Sequence, residues 1–307
     1  MTARNTVPAI EVSGLSMQYG EKVVLDDIDF TVHTGEVVAL LGPNGAGKST
    51  TIEILEGFRA PSGGHVRVLG EEPISAGEAW RADVGVVLQS WRDHSRWKVG
   101  ELLDQFGRYY APYATSERPR PYAVDDLLGM VGLRDQAGLR VAALSGGQRR
   151  RLDVAIGIVG RPRLLFLDEP TVGFDPIARR EFHDVVHRLS DLDGTSILLT
   201  THDLAEAEKL ADRILILDHG RIVADGSAEQ LALDVAGATE VRWNEGGQRH
   251  VHSTEDGTAF VRRLLAQHPY GISDLEVRHS TLEDTYLTMV ARHETAARAT
   301  TTEGMTR

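Results

Sequence analysis

The pattern of apolar and polar residues predicts a strand-rich beginning to the chain. Apolar and polar positions alternate over 9–33, as they do in antiparallel strands with one buried face. The apolar run 36–41 predicts a buried strand, and a helix is expected over 51–58. Two valine-rich runs, 65–69 and 84–88, predict further strands. We therefore expect mainly β-structure in this part of the chain.

The pattern changes between about 90 and 160, where apolar residues recur every three or four positions. It predicts helices over 101–110, 124–131 and 148–159. Beyond this stretch the chain alternates between strands predicted over 164–167, 196–200 and 214–217 and helices predicted over 178–192 and 204–211. Because strand–helix alternation favours parallel pairing, we expect an α/β domain with a helical insert.

A smaller unit is predicted towards the C-terminus. The dipeptide His219-Gly220 predicts a hairpin turn, and the composition shifts after Gly226. The stretch 236–292 reads as a small α+β unit, with helices expected over 260–265 and 282–290 and a strand over 275–278. The last residues, 293–307, are rich in Thr, Ala and Arg and are predicted to be disordered.

Composition and charge narrow the function classes. A chain of 307 residues has room for about two domains. It has no cysteine, which excludes disulfides and thiolate chemistry. The net charge of -12 makes nucleic acid an unexpected partner. The basic run 149–151 is interpreted as a solvated helix face, and binding of an acidic partner is the alternative. We expect neither a secretory signal nor a membrane span, so any membrane-spanning part would belong to another chain.

The most informative motif follows the strand 36–41 and fits the phosphate-loop pattern G-x-x-x-x-G-K-[ST]. Its residues are Gly42, Pro43, Asn44, Gly45, Ala46, Gly47, Lys48, Ser49 and Thr50. Glycines let successive backbone N–H groups face phosphate oxygens at the start of a helix. Lys48 can reach β- and γ-phosphates, and Ser49 can ligate Mg²⁺. The alternative is a glycine-rich turn that only connects a strand to a helix.

A second motif is an apolar strand that ends in two carboxylates, Asp168 and Glu169. Asp168 is suited to hold Mg²⁺ through its hydration shell, and Glu169 to activate water as a general base. An exposed Asp-Glu turn after a strand is the plain alternative.

A third motif, Leu144-Ser145-Gly146-Gly147-Gln148, predicts a helix start with Ser145 as N-cap. The two glycines expose backbone N–H groups, which makes this helix start a second anion-binding helix end, after the one at the phosphate loop. Because it has no lysine, it is interpreted as half of a site that another surface completes. A capped helix after a plain turn is the alternative.

In their order along the chain, with the phosphate loop first, the motif at 144–148 second and the carboxylate pair third, the three motifs resemble the ATP-binding cassette (ABC) ATPases, over about 9–226. The resemblance implies a P-loop NTPase cassette, with a mainly parallel core sheet, an antiparallel β subdomain and a helical subdomain. It places the nucleotide-binding domain at 9–230 and its helical subdomain at about 90–160. A small C-terminal accessory domain at 236–292 and a tail at 293–307 would follow.

The resemblance also implies roles for single residues. Tyr19 occupies the place of the aromatic residue that stacks on adenine. Gln89 resembles the glutamine that touches Mg²⁺ and the attacking water, and His202 resembles the histidine that contacts the γ-phosphate. Gln89 and His202, together with Lys48 and Glu169, make up the expected catalytic set. Gly173-Phe174-Asp175 resembles a loop that contacts the partner subunit, although leucine is commoner at the phenylalanine position.

Partners follow from the resemblance as well. Two cassettes are expected to pair head to tail, as a homodimer, with ATP and Mg²⁺ between the phosphate loop of one copy and residues 145–148 of the other. Loss of the γ-phosphate contacts on hydrolysis would let the copies part. A separate transmembrane permease is the second expected partner, which would place the chain in the cytoplasm, on the inner face of the cell membrane.

Within the family the chain resembles ATPase subunits of ABC-2-type exporters, including the daunorubicin-resistance group. The segments that carry this likeness are 88–91, 168–176 and 280–287. Drug, lipid or polysaccharide-type cargo is expected. The stretch 91–98 lies where the family meets its permease, and a contact role and a plain surface loop both stay open.

The motifs are also compatible with other functions. The chain could be an importer ATPase, a non-transport cassette of translation or repair, or a nucleotide sensor without hydrolysis. Non-transport cassettes usually carry two cassettes or a long coiled coil, and neither is expected here. A sensor without hydrolysis is disfavoured by the intact Lys48, Asp168, Glu169 and His202. A metal site at His250 and His252 is disfavoured, because no carboxylate or cysteine cluster lies nearby in sequence.

Overall fold

The computed structural model describes residues 8–87, 94–191, 193–236, 239–246, 248–254, 256–268 and 271–278. Gln89, the motif 280–287, the helix predicted over 282–290 and the tail 293–307 lie outside these ranges, as does part of 91–98. The chain divides into two compact units, Met1–Ile222 and Val223–Arg307.

The strands occur along the whole described chain. They are β1 (Pro8–Tyr19), β2 (Lys22–His33), β3 (Val37–Leu41), β4 (Gly63–Val68), β5 (Val84–Val87), β6 (Leu164–Asp168), β7 (Ser196–Thr201), β8 (Arg213–Asp218), β9 (Arg221–Gly226), β10 (Thr239–Glu245), β11 (Gln248–Thr254) and β12 (Ile272–Arg278). The α-helices are α1 (Lys48–Leu55), α2 (Glu78–Asp83), α3 (Val99–Tyr110), α4 (Val124–Met130), α5 (Gly146–Ile158), α6 (Pro176–Asp191), α7 (Leu204–Leu210), α8 (Ala228–Ala236) and α9 (Gly257–Gln267).

The strands β5-β6-β7-β3-β8, which are neighbours in this order in one sheet, form the centre of the first unit. The strands from β5 to β8 in this order pair in parallel, which confirms the predicted mainly parallel core. All five residues of β3 are buried, as expected for a strand covered on both faces. Because the strands are parallel, the segments that follow β3, β6 and β7 meet at one edge of the sheet.

An antiparallel sheet in the order β2-β1-β4 accompanies the central sheet. Apolar residues of β1 and β2 such as Leu15, Leu25 and Ile28 join one buried cluster with Leu40 of β3 and Phe166 of β6. The antiparallel strands predicted over 9–33 are thus confirmed, and their core-facing residues pack with those of the parallel sheet.

Between β5 and β6 the chain forms α3, α4 and α5, where three helices were predicted. α5 begins at Gly146, two residues before the predicted start, because Ser145 caps it. The short helix α2 was not predicted. Its Trp80 is buried and donates from Nε1 to the backbone oxygen of Val68 at 2.8 Å.

The second unit contains an antiparallel sheet in the order β11-β10-β12. His250 stacks on Trp243, with ring centroids 5.3 Å apart, and His252 stacks on Phe260 of α9 at 4.1 Å. These packing roles explain the histidine pair without a metal. No helix of the described residues is long and apolar enough to cross a membrane.

Candidate active site

The phosphate loop leads from β3 directly into α1. Gly47 has φ +115°, and a Cβ atom there would lie 2.5 Å from Cδ2 of Leu25, so only glycine fits. The helix begins immediately after it, at Lys48, three residues before the predicted start. No side chain caps this helix end, so its first N–H groups are left to bind an anion.

Lys48 is buried within this loop. Its Nζ donates hydrogen bonds to the backbone oxygens of Gly42 at 2.7 Å and Pro43 at 3.2 Å. Burial lowers the pKa of Lys48, while the negative charges of Glu169 and Asp168 act to raise it. A phosphate group would provide the strong acceptor that such an amine lacks here, which is a chemical fit to a phosphate ligand.

The two carboxylates follow β6 and are held by the neighbouring strand β7. Thr200 Oγ1 donates to Asp168 Oδ1 at 2.6 Å, and the N–H of Glu169 donates to Thr200 Oγ1 at 3.1 Å. Glu169 has φ 45°, an uncommon left-handed conformation for a non-glycine residue. Its Oε1 lies 3.3 Å from Nδ1 of His202, which follows β7. The structure therefore brings Asp168, Glu169 and His202 together.

Arg150 holds the other side of the carboxylate turn. It is buried, its Nε donates to the backbone oxygen of Pro170 at 2.9 Å, and its Nη2 donates to those of Asp168 at 3.0 Å and Glu169 at 3.3 Å. The interpretation of 149–151 as a solvated helix face is therefore wrong for Arg150. The guanidinium can be buried here because backbone carbonyls accept hydrogen bonds from its N–H groups.

A cavity of about 660 Å³ lies over these elements. Its lining consists of Tyr19, Lys22, Val23, Val24, Asn44, Gly45, Gly47, Lys48, Ser49, Thr50, Asp168, Glu169, His219 and Gly220. The volume is in the range of ordinary ligand pockets. The walls from β2 and from the β8–β9 turn are not predicted by the sequence motifs. The only available signal was the His219-Gly220 turn, which predicts a hairpin but not what it faces.

Tyr19, at the end of β1, lines this cavity with a half-exposed ring. Tyr19 and the phosphate loop therefore line the same cavity, and the resemblance places the adenine-stacking residue there. The guanidinium carbon of Arg59 lies 5.1 Å from the centroid of the Tyr19 ring.

The third motif lies at the start of α5 and has a complete capping box. Ser145 Oγ accepts from the N–H of Gln148 at 3.3 Å, and Gln148 Oε1 accepts from the N–H of Ser145 at 2.9 Å. Ser145 and Gly146 are exposed, and none of 145–148 is among the residues that line the cavity. Within one chain, the structure does not bring this motif to the phosphate loop.

The loop 173–175 has local structural roles. Phe174 is buried and packs edge-on against Phe182, with centroids 5.9 Å apart. Asp175 Oδ1 accepts from the N–H groups of Ile177 and Ala178, both at 2.9 Å, at the start of α6. The exposed side chain of Ile177 is next to these residues.

Comparisons with known proteins agree with this geometry. The ABC transporter family model matches residues 25–172. The chain is 38% identical to the Nod factor export ATP-binding protein I of Neorhizobium galegae, over 94% of this chain and 88% of that protein. It is 39% identical to the daunorubicin resistance ATP-binding protein DrrA3 of Streptomyces coeruleorubidus, over 78% and 75% respectively. The chain belongs to the ABC transporter family.

Solved structures support the ABC cassette fold. A structure of the ATP-binding subunit of an ABC transporter matches with a TM-score of 0.64 and 30% identity, over 74% of this chain and 92% of that chain. A dimeric ATP-binding cassette in a post-hydrolysis state, bound to ADP and Pi, matches with a TM-score of 0.61 and 23% identity, over 71% and 98%. The predicted cassette fold is confirmed, and the chain is an ATP-binding and ATP-hydrolysing protein of this family.

The residues around the cavity fit a nucleoside triphosphate with its metal ion. Free helix N–H groups, a buried lysine and two carboxylates face one cavity. Among the described residues no cluster of three or more His, Asp or Glu side chains could hold a metal alone. A Mg²⁺ ion at Ser49 and Asp168 would therefore need phosphate oxygens and water to complete its ligands.

Proposed function

We propose that this ABC ATPase powers export through a separate membrane-spanning permease, and that it works as a head-to-tail pair of cassettes. One observation supports the proposed pairing of two cassettes. The cavity holds the phosphate loop and the carboxylates, whereas the exposed helix start at Ser145 and Gly146 lies outside its lining. A second copy that presents residues 145–148 over the cavity would cover the nucleotide from the other side.

The roles of the site residues follow from their chemistry. Lys48 would exchange its backbone acceptors for the β- and γ-phosphates, and Ser49, Asp168 and, by resemblance, Gln89 would hold Mg²⁺. This ion, when bound, would supply neutralisation of charge on the phosphates. Glu169 would accept a proton from the attacking water. His202 would position Glu169 and, by resemblance, contact the γ-phosphate.

The pairing is tested by the size of a hydrolysis-deficient variant. Glu169→Gln should bind ATP and become a dimer, measured by light scattering with and without ATP. The double variant Ser145→Arg/Glu169→Gln keeps the phosphate loop and should stay monomeric, because its capping motif can no longer approach a partner's nucleotide. A Glu169→Gln protein that stays monomeric with saturating ATP would contradict the proposal.

A groove of about 260 Å³ supports the permease as the second partner. It is lined by Phe58, Val84, Val86, Val87, Phe106, Tyr110, Asp153, Ile156 and Gly157. Phe58 is 75% exposed, which is unusual for a large apolar side chain. Since Phe58 follows α1, whose other end is the phosphate loop, a permease helix seated here would lie one helix away from the nucleotide.

This docking site is tested with Phe58→Asp. The change should abolish co-purification with the permease from detergent-solubilised membranes and leave the ATPase rate of the cassette alone unchanged. Ile74→Asp, at another exposed apolar residue, serves as control and should co-purify normally. If Phe58→Asp still co-purifies, the groove is not the docking site.

We further propose a drug, lipid or polysaccharide-type cargo and a location on the inner face of the cell membrane. The relatives are named for Nod factor export and for daunorubicin resistance, which favours export over import. ATP-driven movement of such a compound into inside-out vesicles that contain the chain and its permease would support the proposal. Movement out of them would indicate an importer, and co-purification with ribosomes without a permease a non-transport cassette.

A further inference from the structure

The ring of Tyr19, which lines the nucleotide cavity, is in contact with an arginine outside the cavity lining. Tyr19 lines the cavity, whereas Arg59 does not, and the Arg59 guanidinium carbon lies 5.1 Å from the ring centroid. A guanidinium at this distance over an aromatic face is a cation–π contact. The guanidinium thus occupies one face of a ring that also borders the cavity.

Arg59 is itself held in place by α1. Its Nε donates to Glu53 Oε2 at 2.7 Å, and its backbone N–H donates to the backbone oxygen of Glu53 at 3.2 Å. Gly57, between them, has φ +78°, and a Cβ atom there would lie 2.4 Å from the backbone oxygen of Pro73. The turn after α1 therefore has one tightly fixed path, and that path places Arg59 against Tyr19.

The same turn is bonded to the strand that carries Tyr19. The N–H of Ser62 donates to the backbone oxygen of Ser16 at 2.9 Å, and the N–H of Gln18 donates to Ser62 Oγ at 3.1 Å. These bonds fix the distance between Arg59 and the end of β1. Because α1 begins at Lys48, one helix would contact the phosphates at its start and is linked to Tyr19 beyond its end through Arg59.

We propose that Arg59, held by Glu53, is a positioning residue that orients Tyr19 for stacking on the nucleotide base. This rests on the proposed function, in which Tyr19 stacks on adenine. Arg59 touches Tyr19 and not the nucleotide, so it contributes to binding of the base and not to binding of the phosphates or to hydrolysis.

The contribution is measured with a ligand that has the base and one that lacks it. Binding of ATP and of inorganic tripolyphosphate, both with Mg²⁺, is measured by calorimetry on the full chain and on Arg59→Ala, Arg59→Lys and Tyr19→Ala. Arg59→Ala should weaken the binding of ATP about two- to fivefold, the magnitude of an exposed cation–π contact, and should leave the binding of tripolyphosphate unchanged. It should raise KM for ATP with kcat unchanged, and Arg59→Lys should restore part of the affinity.

Two controls separate orientation from general damage. Arg81→Ala removes an arginine from a similarly exposed pair with Glu78 and should leave both affinities unchanged. The double variant Tyr19→Ala/Arg59→Ala should bind ATP no more weakly than Tyr19→Ala, because Arg59 acts only through the ring.

The outcomes distinguish the two proposals. If Tyr19→Ala weakens ATP binding but Arg59→Ala does not, Arg59 has no positioning role and the proposed function stands. If Arg59→Ala weakens the binding of tripolyphosphate as much as that of ATP, Arg59 does not act through the Tyr19 ring. The same follows if its effect on ATP binding adds in full to the effect of Tyr19→Ala in the double variant. If Tyr19→Ala leaves ATP binding unchanged, base stacking is wrong and so is the role of Arg59.

Discussion

Oε1 of Glu169 lies 3.3 Å from Nδ1 of His202, although 33 residues separate them in the sequence. Parallel pairing of β6 with β7 brings the two strand ends side by side. The left-handed backbone of Glu169, at φ 45°, turns this carboxylate away from the path of the strand. The pair lies at the edge of the sheet that also carries the phosphate loop.

Replacement of Glu169 by Gln keeps the shape of the side chain and removes the base. Hydrolysis should slow by roughly 10²–10⁴, the usual contribution of general base catalysis, while ATP affinity is kept. Phosphate release and equilibrium ATP binding on the same preparation measure the two quantities. Hydrolysis at the wild-type rate would show that another group is the base.

Replacement of His202 by Ala tests the other half of the pair. Loss of a group that positions Glu169 and contacts the γ-phosphate should lower kcat by about 10²-fold, as loss of one transition-state contact does, with a small effect on KM. Phosphate release over a range of ATP concentrations gives both parameters. His183→Ala, a change on α6, is the histidine control and should keep kcat. A large rise in KM at unchanged kcat would instead show that His202 contributes ground-state binding alone.

The sequence predicts those parts of the site that are encoded by short contiguous motifs. The phosphate loop, the carboxylate pair and the capping motif each lie within a few residues, where local chemistry determines the backbone. The burial of Arg150 and the contact of Arg59 with Tyr19 could not be predicted, because each depends on tertiary packing. An arginine within a basic run has the same local pattern whether it is solvated or donates to three backbone carbonyls.

Helix bounds were predicted to within about three residues, and the differences have local causes. α1 starts at Lys48 and ends at Leu55 because left-handed glycines at 47 and 57 flank it. The hydrophobic pattern marks only the apolar face and is insensitive to such caps. The predicted domain limits, the role of Gln89 and the motif 280–287 stay predictions.

Arg150 stabilises the carboxylate turn, and its loss should destabilise the protein. Arg150→Ala would leave the backbone oxygens of Asp168, Glu169 and Pro170 without this donor, at a cost of about 2–4 kcal/mol in the free energy of unfolding. Urea unfolding monitored by circular dichroism measures it. Arg108→Ala removes the exposed pair with Asp104 and should cost less than about 1 kcal/mol. Equal losses in the two variants would contradict the assigned role.

Glu56, at the end of α1, should make stability depend on pH. Its Oε1 is buried without a hydrogen-bond partner among the described residues, and burial, with the charges of Asp168 and Glu53, raises its pKa from 4.5 to about 8. The folded chain thus holds this proton more tightly than the unfolded chain. Its contribution to stability is therefore fully present below pH 4.5 and is lost as the pH rises through about 8.

Glu56→Gln cannot lose this proton. The variant should gain several degrees in Tm over the wild type at pH 8.5, by this linkage, and less at pH 5. Thermal unfolding at both pH values measures the difference, and Glu71→Gln, at an exposed residue, is the control. An equal change in Tm at the two pH values would show that Glu56 is ionised throughout.

The central claim, that each nucleotide is shared by two copies, is tested most directly by mixing two inactive variants. Lys48→Ala lacks a working phosphate loop, and Ser145→Arg lacks a working helix end. In their mixed dimer one site combines the intact loop of one copy with the intact helix end of the other.

The measured quantity is the ATPase rate of the equimolar mixture. The mixture should regain about a quarter of the wild-type rate, because half of the dimers are mixed and each has one intact site. Lys48→Ala mixed with Glu169→Gln should stay inactive, since both changes damage the same half of a site. A Lys48→Ala and Ser145→Arg mixture no more active than the separate variants would contradict the shared site.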